Sequence, residues 1–79
     1  MVFCNFVKAE DNQIIYAFGG TSKDLTGELV ITPSDPLSFR VIKEPENSKV
    51  SQRHIEYMIG RHIQELKKKM YPPKMAYQI

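Results

Sequence analysis

Two histidines, one cysteine and a run of cations are the side chains of this sequence best suited to chemistry. His54 and His62 stand eight residues apart, which on a helix is about 12 Å along the axis. A metal ion held on one helix takes ligands at i,i+3 or i,i+4. The spacing therefore predicts no shared metal site. Cys4 would need a neighbouring base and an electropositive setting to act as a nucleophile. In a first strand it reads instead as a small buried hydrophobe. Gly19-Gly20-Thr21-Ser22-Lys23 brings glycines, a hydroxyl and a lysine together, as phosphate loops do. Its order departs from the Gly-x4-Gly-Lys-Ser/Thr pattern, and a polar connection to another strand follows rather than a helix. A strand-ending turn is the expectation there. Asp11, Asp24 and Asp35 each lie near a turn, without the spacing of a calcium loop. No nucleophile–base pair assembles, so the expectation is a non-enzyme with no catalytic residue, metal or cofactor.

The cations are unevenly spread. Up to Gly60 the chain carries six basic and eight acidic side chains; from Arg61 onward it carries five basic and one acidic. Arg61, Lys67, Lys68, Lys69 and Lys74 form a basic end on an otherwise acidic body, with Tyr71 and Tyr77 among them. A helix C-terminus collects cations because they interact favourably with its dipole. The same residues are the candidate set for binding an anion or a nucleic acid. The formal charge of +2 is low for extended approach to a polyanion, so nucleic acid is the secondary expectation.

The elements that must position these groups are those of a small globular chain. Seventy-nine residues, 42% hydrophobic and 25% charged, suit one domain spanning 1–79, with 71–79 as a tail. Nothing approaches the ~20 consecutive apolar residues of a membrane helix, no secretory signal opens the chain, and one cysteine forms no intrachain disulfide. A cytoplasmic protein is expected.

Strands are predicted near 2–8, 13–18, 28–32 and 37–43 from runs of β-branched and aromatic residues. Asp11-Asn12 make a two-residue hairpin turn, opposing Glu10 to Gln13, Val7 to Tyr16 and Phe6 to Ala17. Pro33-Ser34-Asp35-Pro36 turns the third strand into the fourth. One C-terminal helix over about 51–70 is capped by Ser51, with Val50 and Ile55 as a hydrophobic staple. Its apolar stripe is Ile55, Met58, Ile59, His62, Ile63, Leu66 and Met70, and Glu65 with Lys69 is placed for an i,i+4 pair. Pro72-Pro73 ends it, and 75–79 is a possible extra edge strand. The fold class is α+β: a four-stranded antiparallel meander with the helix on one face.

Sorting the strands by alternation places Phe3, Val7, Ile14, Tyr16 and Phe18 beneath the helix. The reverse face then carries Cys4, Phe6, Ile15, Ala17, Val30 and Ile42, which is apolar for a surface facing water. A helix about 10–12 Å wide does not cover four strands at ~4.8 Å spacing. Three outcomes follow: the tail folds over the reverse face, the face stays exposed, or a partner covers it, a second copy being the commonest case and the leading expectation. The expected function is a small binding or assembly domain. It would be a homodimer or bind another protein through Phe6, Ile15, Val30 and Ile42 or through the sheet edge. Membrane attachment is not expected, because the sheet needs the helix's apolar stripe.

Overall fold

Asp11 and Asn12 adopt φ of 49° and 62°, the left-handed pair that a two-residue hairpin turn requires. In the computed structural model, which describes residues 1–78, this turn joins β1 (Val2–Glu10) to β2 (Gln13–Gly19). The chain continues through β3 (Gly27–Thr32), β4 (Asp35–Lys43), α1 (Gln52–Arg61), α2 (Ile63–Lys67) and β5 (Lys74–Tyr77). All pairings are antiparallel, and the sheet order is β4-β3-β2-β1-β5. The result is an α+β fold with an open five-stranded sheet and the helical segment on one face.

The first hairpin departs from its predicted register at one residue. Glu10 opposes Gln13, Ala9 opposes Ile14 and Lys8 opposes Ile15, but Val7 is an extra residue and Phe6 opposes Tyr16. Val7 forms a β-bulge, which flips the remainder of β1 to the other face. Without it, Asn5 would face Phe18 inside the core. A buried amide lacking a partner costs about 1–3 kcal/mol. With the bulge, Cys4 opposes Phe18, Val2 and Cys4 are buried, and Asn5 opposes Ala17 at the half-buried outer face. The helix-free face thus exchanges Cys4 and Phe6 for Phe3 and Val7.

The core lies between the sheet and the helix. Ile14, Tyr16, Phe18, Leu29 and Ile31 from the strands are fully buried, as are Met58, Ile59 and Leu66, with Ile55 almost so. Ser51 caps α1, accepting from the His54 N–H at 3.2 Å, and Val50 packs against the core. The predicted single helix is broken at His62, whose N–H bonds Ile59 O in a tighter i−3 contact. Its end comes early. Lys69 takes a left-handed φ of 60°, with Lys69 N–H on Leu66 O and Met70 N–H on Glu65 O. These are the bonds of a Schellman motif. Met70 therefore leaves the apolar stripe and is 62% exposed, and Glu65 pairs with His62 at 2.9 Å rather than with Lys69.

The helix is not C-terminal, because the tail returns to the sheet. β5 pairs with β1, Val2 opposing Tyr77 and Cys4 opposing Met75, and the Phe6 N–H bonds Pro73 O at 2.8 Å. The tail adds an edge strand and buries Met75 under the helix. It does not lie over the reverse face. The expectation of a strand through residue 79 falls at its last position outside the described residues.

Candidate functional site

The side chains with catalytic potential are dispersed by the fold. Cys4 is buried in the core, and burial pushes its thiol up to about 12. A nucleophilic thiolate needs the opposite shift. His54 lies at the start of α1, its Nδ1 3.0 Å from the Met1 amino group. His62, at the helix break, bonds Glu65 instead. Among the described residues no three His, Cys, Asp or Glu side chains gather as metal ligands, and no helix is long and apolar enough to cross a membrane.

The glycine-rich segment after β2 is bound internally. Gly20 N–H donates to Ser48 Oγ at 2.9 Å, and Lys23 N–H to Thr21 Oγ1 at 3.3 Å. Gly19 has no room for a side chain, since the Asp24 carbonyl occupies the place of a Cβ. The segment closes around a carboxylate. Asp24 is 7% exposed and accepts from Thr26 Oγ1 at 2.7 Å, from the Asn47 N–H at 3.1 Å and from Ser48 Oγ. Hydrogen bonds from Ser48 and then Thr26 hold its pKa below the usual carboxylate range. This cluster ties the β2–β3 connection to the segment before α1. Its charge would repel a phosphate. Sequence patterning gave no sign of it, because Asp24 and Ser48 are 24 residues apart.

The basic set is divided. Lys74 opposes Asn5 in the β1–β5 pairing, on the face away from the core. Lys67, Lys68 and Lys69 are exposed around the end of α2, Lys69 in the Schellman turn. Arg61 is held apart from both groups, its guanidinium 5.0 Å from the centre of the Tyr77 ring.

The four sheet-face residues do not share one side. Phe6 opposes Tyr16 beneath the helix layer, meeting its ring edge-on at 5.8 Å and stacking on Tyr71 at 6.2 Å. The bulge at Val7 is the cause. Ile15 and Val30 oppose one another on the helix-free face, but Ile15 is half-buried and Val30, only 5% exposed, is not available as the contact residue expected. Ile42, two residues beyond Arg40, is 56% exposed at a bulge in β4. Val7 takes the place of Phe6: it is 52% exposed and borders a shallow hollow with Ile15, Ala17 and Leu25. Leu25 comes from the β2–β3 connection and, with Ser22, also borders Phe3, Asn5 and Ala76, so that connection lies along the β1 side of the face.

Neither a protein-family model, nor a curated protein, nor a solved structure matches this chain. The surfaces themselves carry the functional argument.

Proposed function

We propose that this chain is a small non-enzymatic assembly domain of the cytoplasm that pairs with a second copy of itself through the helix-free sheet face. One observation carries the reading. The face carries exposed Val7 and Ile42 beside half-buried Phe3, Ile15 and Ala17, with Val30 buried among them, while β5 joins the sheet edge rather than covering that face. Apolar residues contiguous over a few hundred Å² mark contact surfaces. Lys8, Glu28 and Arg40 put both charge signs among the apolar residues, so a two-fold axis need not oppose like charges. A lone buried thiol with no disulfide accords with a reducing compartment.

Sedimentation equilibrium tests the reading. The expected result is a dimer, returned to monomer by Ile42→Asp or Val7→Asp while the circular dichroism spectrum is kept. A wild-type chain that stays monomeric at the highest attainable concentration overturns it.

A further inference from the structure

Arg53, Tyr57 and Arg61 recur every four residues along α1, which places them on one stripe, and all three are exposed. Tyr77 of β5 leans against that stripe. Its ring lies 5.3 Å from the Tyr57 ring at 46°, beneath the Arg61 guanidinium. Tyr57, Gly60, Arg61 and Tyr77, with Glu56, border an open depression of about 380 Å³. Neither arginine has a carboxylate within ion-pair distance among the described residues.

Gly60 is the informative residue. Glycine inside a helix weakens it relative to alanine. Here it has no positive φ to accommodate, and an added Cβ would meet nothing within 4 Å. Neither packing nor backbone conformation calls for it. Its effect is to keep the depression open down to the helix backbone, beside the half-exposed Tyr57 ring, with Arg53 one turn before Tyr57 and Arg61 one turn after it.

Tyr77 is half-buried against Arg61, Tyr57 and His54, so the exposed ring is that of Tyr57. An exposed aromatic ring with cations one helical turn to either side suits a flat, unsaturated ring flanked by negative charge, which is the chemistry of a nucleobase between phosphates. The depression is shallow and offers one face of one ring, so a free nucleotide would gain a single stack and little enclosure. A polymer supplies neighbouring phosphates as well, and Arg53 and Arg61, about 12 Å apart along the helix, stand on either side of Tyr57. We propose that Tyr57, Gly60, Arg61 and Tyr77 form a stacking platform for single-stranded nucleic acid. Arg53 and Arg61 take the phosphates on either side of the stacked base. Glu56 opposes phosphate at one border and keeps affinity modest. The platform faces away from the helix-free sheet face, so it operates in monomer and dimer alike.

The test titrates a short single-stranded oligothymidylate at low salt, read by anisotropy of the labelled strand and by the tyrosine ring resonances. Expected are binding that shifts Tyr57 and Tyr77, a loss of about ten- to hundredfold in Tyr57→Ala, and a salt slope reduced by about one in Arg61→Ala. Gly60→Leu should bind weakly with an unchanged or raised melting temperature, separating a filled platform from a lost fold. The inference is overturned by absent binding at low salt. It is equally overturned if Lys67/Lys68/Lys69→Ala abolishes binding while Tyr57→Ala does not, if thymidine monophosphate binds as tightly as the strand, or if only a proline-rich peptide moves the two rings.

Discussion

The Tyr16 hydroxyl, carried on the middle strand of the sheet, donates to the Pro72 carbonyl at 2.8 Å. Two prolines after a helix cannot continue it, and the segment they form must still be led back to β5. Tyr16 fixes that return. Its ring is fully buried, and burial foremost raises its pKa, so the phenol stays a neutral donor well into alkali.

Tyr16→Phe keeps the ring and removes the donor, leaving Pro72 O without its partner. The expected cost is about 1–3 kcal/mol, measured as a lowered urea midpoint. β5 should loosen first, seen as faster amide exchange at Met75 and Tyr77. Unchanged exchange there would separate Tyr16 from the placement of the tail.

A second prediction concerns Cys4. Its thiol is raised from 9.0 to about 12 by burial. An acid whose folded value is raised contributes stability that is complete below the unfolded value and declines as pH rises through the folded one. Stability should therefore fall from about pH 9 upward, and Cys4→Ala should flatten that decline. At neutral pH a thiol reagent should modify Cys4 at a rate that tracks unfolding, accelerating as urea is added. Rapid modification of the native protein would contradict the burial of Cys4 in the core.

These two residues also show how much of the fold was legible in the sequence. Strand positions, the Asp11-Asn12 turn and the Ser51 cap are local and were readable from residue type. The side on which Cys4 and Phe6 fall was not, because it depends on a one-residue bulge and period-two alternation inverts with it. Asn5 was the available signal: unbroken alternation sends an amide into the core. The helix stop was hidden for a similar reason, since Lys69 stands where glycine ordinarily marks the left-handed position. The Tyr57–Tyr77 contact joins a helix to a strand whose pairing no local pattern specifies, so Arg61 read as one cation of the basic end and was not seen beside the Tyr57–Tyr77 pair.

The Schellman turn yields a third prediction. A non-glycine residue in left-handed conformation is strained by its Cβ, and Lys69 has φ of 60°. Lys69→Gly should relieve about 1–2 kcal/mol of backbone strain, partly offset by about 0.4–1 kcal/mol from the freedom glycine gives the unfolded chain, for a modest net stabilisation. Raised thermal and urea midpoints with an unchanged m-value are the expected readout. Lowered midpoints would mean that the lysine head group contributes more than its backbone costs.

The last prediction follows from the Asp24 cluster, which joins two connections that no strand pairing links. Ser48 and Thr26 hydroxyls and the Asn47 N–H all donate to one carboxylate, and the Glu46 N–H bonds Thr26 Oγ1 at 2.7 Å. These bonds favour the ionised form, so the folded value lies below the ordinary one of 3.8. The sign is fixed by that direction. A carboxylate lowered on folding contributes stability that is complete above its unfolded value and is lost as pH falls through the folded one. Asp24→Asn should thus destabilise the protein at neutral pH and remove part of its acid sensitivity, so that the mutant and wild-type melting curves converge toward low pH. Ser48→Ala combined with Asp24→Asn should cost less than the two single changes added together, because each removes the same bond. Full additivity, or parallel pH profiles for mutant and wild type, would dissociate Asp24 from the junction of these two segments.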